Sequence, residues 1–309
     1  MKQRHELFKA KTASEFLQLV KTADASIDEI LSVVLPPAIQ HGLVLCGSLA
    51  EGLGTAESDI DLLVLVDNFD ALLVDRNQNW TYNRGAELDR SSAKVYRHGM
   101  EFNVEVVALD RLDALSEAVQ QLIQFSRTGN AANQLPLLED TDLKLLHQLR
   151  AGWGLKNEEM VDGWRKKFGT ALLPIYMTIN NFVLYREYLE DVVSVRYSEV
   201  PGGALFVGRV ASTCACKAIL ALAGETNPNV KWTAHLIHKI ATSSSPFALL
   251  ASKALPLLFP PFSSDKEVID EYVQQLVSVG HAIYTILKDD PRISSLLPTF
   301  DENVHYIGV

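Results

Sequence analysis

The stretch Leu43-Val-Leu-Cys-Gly47-Ser48-Leu-Ala-Glu-Gly52-Leu-Gly54-Thr55-Ala-Glu-Ser58-Asp59-Ile60-Asp61-Leu-Leu-Val-Leu-Val66 decides the fold. An apolar run, Leu43–Cys46, stops at Gly47-Ser48, and a second run, Ile60–Val66, is interrupted only by Asp61. Strand side chains alternate between faces, so Asp59 and Asp61 point one way while Ile60 and Leu62 point into the core. Two carboxylates on one face of a mostly buried strand repel each other unless a positive charge sits between them. A hard divalent cation does this, and magnesium takes one or two carboxylates together with phosphate oxygens. Gly47 permits a tight turn and close backbone approach. Ser48, with the N–H groups of the turn after it, can hydrogen-bond phosphate oxygens at a helix start.

Working outward, Lys94–Arg97 and Glu101–Leu109 read as a hairpin across His98-Gly99. Phe102, Val104 and Val106 alternate with Glu101, Asn103 and Glu105, so two carboxylates and an amide share one face. Glu105 then supplies a third carboxylate, and the set amounts to a metal-assisted phosphoryl-transfer site. Glu101 lies two residues earlier on the same face, which leaves the general base open between the two. Upstream, Thr12-Ala-Ser-Glu15 has the capping-box pattern and opens an amphipathic helix expected from about 12 to 34, with Pro36-Pro37 beyond its end. After about residue 110 the periodicity is helical, with helices expected at 111–127, 140–151, 158–192, 203–223, 232–242, 246–258 and 265–288. Turn-rich separators such as Pro201-Gly202-Gly203 and Gly224–Asn229 divide them. The reading is an α+β protein: a small mixed-sheet domain over 1–110, with helices on one side of the sheet, followed by an all-helical domain over 111–309.

Gly47-Ser48 followed by Ser58-Asp59-Ile60-Asp61-Leu62-Leu63-Val64 resembles the signature of the DNA polymerase beta-like nucleotidyltransferase superfamily, nearest to its bacterial aminoglycoside and lincosamide enzymes. The resemblance is specific over 43–66, extends to the Glu105 strand, and is architectural over the helices. It implies a divalent metal, Mg2+ or Mn2+, at Asp59 and Asp61, and phosphate contacts from Gly47 and Ser48. It makes Glu105 the third metal carboxylate or the base that takes a proton from an acceptor hydroxyl, at a position where the family often has Asp. The segment Asn227-Pro228-Asn229-Val-Lys231-Trp232 looks like the family loop whose lysine reaches the nucleotide's triphosphate. Lys217, on a stripe with Arg209 and Thr213, is a second candidate.

The chain has 309 residues, with 28 lysines and arginines against 38 aspartates and glutamates, for a net charge of −10. Such a balance argues against a duplex nucleic-acid binder, whose footprint should be basic. Through residue 110 the count is 10 basic against 17 acidic, so most of the excess negative charge sits in the first third. No secretory or membrane-spanning segment is expected: the uncharged run Gly169–Tyr185 falls short of the ~20 apolar residues a span requires. Cys46, Cys214 and Cys216 are too few for a disulfide framework, which points to a reducing, cytoplasmic setting. The acidic residues Glu187, Glu190, Asp191 and Glu199 could line a cleft for a cationic substrate, although a solvated helix face is the default for such a run.

The expected reaction moves a nucleoside monophosphate, AMP by preference, from an NTP to a hydroxyl and releases pyrophosphate. The helical domain is expected to close over the site and select the acceptor. The acidic balance favours a small-molecule acceptor, with amino-sugars as the candidate class, in a monomer or homodimer that binds no membrane. Two rivals stand beside this reading. One is the same chemistry on a protein, a tRNA end or a second nucleotide; the other is a catalytically silent binding module on the same fold.

Overall fold

The structure is a computed structural model that describes residues 9–22, 26–35, 39–55, 57–67, 80–81, 90–97, 99–128, 138–198, 200 and 202–294. Pro36, Pro37, His98, Glu199 and Pro201 lie outside the described residues. By internal contacts the chain forms two compact units, residues 1–120 with 141–170, and residues 121–140 with 171–309.

The first unit is built on a six-stranded mixed sheet. Its strands are β1 (His41–Cys46), β2 (Ile60–Val66), β3 (Trp80–Thr81), β4 (Arg90–Arg97), β5 (Met100–Ala108) and β6 (Trp153–Lys156), in the order β3-β4-β5-β2-β1-β6. β2 pairs parallel with β5 and antiparallel with β1, and β4 and β5 form the expected hairpin. β1 and β2 lie inside the sheet and are covered on both faces, which is why their sequences run apolar almost without alternation.

One face packs on α1 (Ala13–Thr22) and α2 (Ile27–Leu31), where Phe16, Val20, Ile30 and Leu31 meet Leu43, Leu45, Leu62, Val64, Phe102 and Val104. Each such side chain removed from water contributes roughly 1.5–3 kcal/mol. Thr12 caps α1: Glu15 N–H donates to Thr12 Oγ1 at 3.2 Å, while Glu15 Oε2 accepts from the N–H of Lys11, one residue before the cap, at 2.8 Å. The single helix expected to residue 34 is instead two, because Ser26 is extended (φ −122°, ψ 131°) and starts α2 anew.

The other face carries Asp61, Asn103 and Glu105. It is covered by α5 (Asp140–Ala151) and α6 (Glu158–Lys167), so helices lie on both sides of the sheet rather than one. A Cβ at Gly42 of β1 would stand 3.2 Å from Met160 Sδ and 3.4 Å from Val161 Cγ2 of α6. Gly152, between α5 and β6, is demanded by packing, since a Cβ there would strike the Gln148 and Leu45 carbonyls at 2.6 and 2.7 Å. Arg165 of α6 ties off the end of α5 by donating to the Leu149 carbonyl at 2.7 Å and the Gly152 carbonyl at 2.6 Å. α4 (Leu109–Thr128) follows β5 directly.

The described part of the second unit is helical: α7 (Leu173–Val195), α8 (Gly203–Leu222), α9 (Val230–Ala241), α10 (Ala248–Ala254) and α11 (Lys266–Asp289), with two 3-10 turns. The helix expected over 158–192 is divided at Gly169 (φ +52°), after which a 3-10 turn leads to Pro174 at the start of α7. α8 has the length and apolar character of a membrane span, and about two thirds of it is buried within the protein, as a core helix would be. Glu187, Glu190 and Asp191 lie exposed on α7, a solvated face.

Candidate active site

β1 ends at Cys46 and the chain turns sharply at Gly47, whose φ of +69° favours glycine. A short helix, α3 (Gly47–Ala50), follows, and the Ser48 carbonyl accepts from Leu53 N–H at 2.7 Å and Gly54 N–H at 2.8 Å, folding the loop back on itself. Ser48 is buried. A Cβ built on Gly47 would fall on the Asp61 carboxylate, 2.7 Å from its Cγ. The glycine leaves room for that carboxylate.

Asp59 and Asp61 are brought together as alternation requires. Between them lies Asn103, the register partner of Asp61 on β5, whose Nδ2 donates to Asp59 Oδ2 and, at 3.3 Å, to Asp61 Oδ1. Burial raises the Asp61 carboxyl to about 6, the neighbouring Asp59 charge adds to the rise, and the Asn103 amide opposes it. Burial and the Asp61 and Glu105 charges also push the Cys46 thiol well up, so it is a packed thiol and no nucleophile. The donor set of Asp59 and Asp61 is oxygen only and crowded, and this fits a hard divalent ion.

Glu105 stands opposite Leu63, one step beyond Asn103 on the same face. It is buried, and its Oε2 accepts from Lys144 Nζ at 3.0 Å and Gln148 Nε2 at 3.5 Å, both from α5. Glu101 pairs instead with Lys94, at 2.6 Å. A cavity of about 240 Å³ is lined by Asp61, Asn103, Glu105, Lys144 and Gln148, with Ser92 and Lys94 from β4. Glu105 thus shares a cavity with Asp61, and Glu101 is not among the residues lining it.

Three of these neighbours escaped sequence reasoning. Asn103 was visible only as an amide on the right face, and Lys144 and Gln148 belong to a helix whose place over the sheet the sequence does not announce. The available signal was polarity in a buried helix, since α5 buries Asp142, His147 and Gln148 among its leucines. Each is engaged within the same unit. Arg111 donates to Asp142 at 2.9 Å, and His147 Nε2 lies 3.2 Å from Glu51 Oε1, just after the Gly47-Ser48 turn.

Lys217 and Lys231 belong to the second unit. Lys217 is largely buried, and its Nζ donates to the Pro228 carbonyl at 2.9 Å; desolvation lowers its pKa. Lys231 is exposed at the start of α9, with Nζ 5.0 Å from the centre of the Trp232 ring. Asn229 caps that helix by accepting from Lys231 N–H. Around it, Glu225 Oε1 accepts from the Thr226 and Asn227 N–H groups at 2.8 and 2.9 Å.

Comparison with known proteins agrees with the motif. No curated protein matches the chain. A solved structure similar to it is that of a nucleotidyltransferase-like protein from Exiguobacterium sibiricum 255-15, at 11% identity over 91% of this chain and 90% of that one, with a TM-score of 0.35. Residues 29–127 match the family model of the nucleotidyltransferase domain. This span, about a third of the chain, holds Gly47, Ser48, Asp59, Asp61 and Glu105, so the similarity to a nucleotidyltransferase domain falls on the segment that carries the motif.

Proposed function

We propose that the protein is a divalent-metal-dependent nucleotidyltransferase that moves a nucleoside monophosphate, AMP by preference, from an NTP to a hydroxyl of a small molecule, with release of pyrophosphate. One observation carries the reading: Asp59 and Asp61 crowd around a single amide, against a glycine whose missing side chain makes room for the Asp61 carboxylate. Asp59 and Asp61 would hold magnesium, which when bound screens the triphosphate and orients its α-phosphate. Gly47 and Ser48 would approach the phosphates, Glu105 would serve the acceptor side of the cavity, and Lys231 would meet the phosphates from the helical unit.

The acceptor class is argued from charge. Net charge is −10, concentrated in the first third of the sequence, which suits a cationic acceptor such as an amino-sugar. The buried thiols of Cys46, Cys214 and Cys216 suit a reducing cytoplasm. The test is incubation with Mg2+, each labelled NTP in turn, and a panel of aminoglycosides and lincosamides, read by pyrophosphate release and by the mass of the product. The expected result is an adduct heavier by one nucleoside monophosphate, absent with Asp61→Asn. Label appearing on the protein itself, on tRNA or in a cyclic dinucleotide would replace the acceptor, and no turnover with any acceptor would overturn the enzyme reading.

A further inference from the structure

The charges of the cavity divide into two groups. Asp59 and Asp61 share one hydrogen-bond donor, the neutral Asn103 amide, and the Lys144 ammonium acts on Asp61 only through space. Glu105, one step further along β5, meets the Lys144 ammonium at 3.0 Å and the Gln148 amide at 3.5 Å. Lys144 and Glu105 therefore sum to zero, and a second divalent ion placed at Glu105 would face an ammonium at contact range.

The ammonium is also well placed to stay. Glu105 is 9% exposed and needs a partner once removed from water. Helix α5, which carries Lys144 and Gln148, is pinned to the same unit by Arg111–Asp142, and its His147 Nε2 lies 3.2 Å from Glu51 Oε1. Lys144 and Gln148 lie four residues apart and so share one helix face, which brings both to the same carboxylate.

We propose that the site takes one divalent ion, on Asp59 and Asp61, and that Lys144 is the resident cation that stands where a second ion would otherwise bind. Lys144 is a positioning residue: it holds Glu105 and withholds it from metal. The inference rests on the nucleotidyltransferase reading above and deepens it.

The experiment counts Mn2+ by electron paramagnetic resonance, titrating the full-length protein in the presence of an ATP analogue with a methylene between its α- and β-phosphorus. The wild type should bind one ion per protein–nucleotide complex. Lys144→Met should bind two, because Glu105 is released to join the ligands, and Lys144→Arg should return to one. Half of the Lys144 side chain is already in solvent, so the methionine variant should keep the fold, and the arginine variant controls for it. Two ions in the wild type, or one in both wild type and Lys144→Met, would overturn the inference. If the wild type holds no more Mn2+ than Asp61→Asn does, the nucleotidyltransferase reading falls, and this inference falls with it.

Discussion

The turn from Gly47 to Asp61 and the loop from Gly224 to Lys231 are both polar segments between apolar elements, and the sequence invites a phosphate-binding reading of each. Their electrostatics differ. In the second, Glu225 caps the N–H groups of Thr226 and Asn227, Asn227 Oδ1 accepts from Asn229 N–H, Asn229 caps α9, and Lys217 takes the Pro228 carbonyl. These are the groups a chain needs in order to end one helix and begin another. In the first, folding has no comparable use for two aspartates: they share one amide, and burial and mutual repulsion push the Asp61 carboxyl up to about 6. Polar groups that cancel locally are explained by the fold. Charges left crowded point to a ligand.

The largest effect is expected of Gly47→Ala. The new methyl would displace the Asp61 carboxylate, and an alanine at φ +69° is strained by roughly 1–2 kcal/mol. On the proposed role of Asp61 in holding the metal, displacing its carboxylate by an ångström should lower nucleotidyl transfer by about 100-fold or more. Steady-state kinetics beside a melting curve would separate the two effects, and wild-type rates would deny that Gly47 makes room for the carboxylate.

The crowding itself can be titrated. Because the Asp61 carboxyl rises from 3.8 to about 6 on folding, the folded protein binds this proton more tightly than the unfolded chain does. Its contribution is therefore most favourable below about pH 4, is lost as pH climbs from 4 to 6, and stays lost above 6. The loss should be of order 2–3 kcal/mol in metal-free protein. Urea midpoints in EDTA across pH 4–7 should show it in the wild type and not in Asp61→Asn, and Mg2+ should restore stability at pH 7 in the wild type only. Parallel pH curves for the two proteins would mean that Asp61 is not strained by its surroundings.

What the sequence made legible follows from how local each signal is. β2, the β4–β5 hairpin and the helices α8 to α11 rest on periodicities within one segment, and their places agree with expectation to within a few residues. The Asp59–Ile60–Asp61 alternation is as local, so the convergence of the two carboxylates could be read directly. The rest of the site is long range. Asn103 meets Asp59 across 44 residues of sequence, Lys144 meets Glu105 across 39 and Gln148 across 43, and no pattern within α5 says which sheet face it will cover. β6 has four residues and owes its existence to pairing with β1, so its own composition carries little strand signal. The split between α6 and α7 turns on Gly169, whose positive φ leaves no mark on hydrophobic spacing.

Substitutions of the two lysines of the second unit should have smaller effects. Lys217→Met removes the donor from the Pro228 carbonyl in a largely buried place, so it should lower stability by about 1–3 kcal/mol while leaving the KM for NTP unchanged. A raised KM with unchanged stability would instead make Lys217 a nucleotide contact.

Lys231→Ala tests the opposite expectation. The Lys231 side chain is exposed, and its contact with Trp232 is a cation over a ring at 5.0 Å, so stability should move by no more than about 0.5 kcal/mol. If its ammonium meets a phosphate, the loss should appear as a KM for NTP raised about 5–10-fold, near 1–1.4 kcal/mol, with kcat little changed, because a contact made equally in ground and transition states affects binding alone. Lys231→Arg should recover most of it, since the charge is kept. A KM indifferent to both substitutions would leave Gly224–Lys231 as a helix connection whose polar residues serve only one another, and nucleotide recognition would then have to be sought elsewhere than at its lysine.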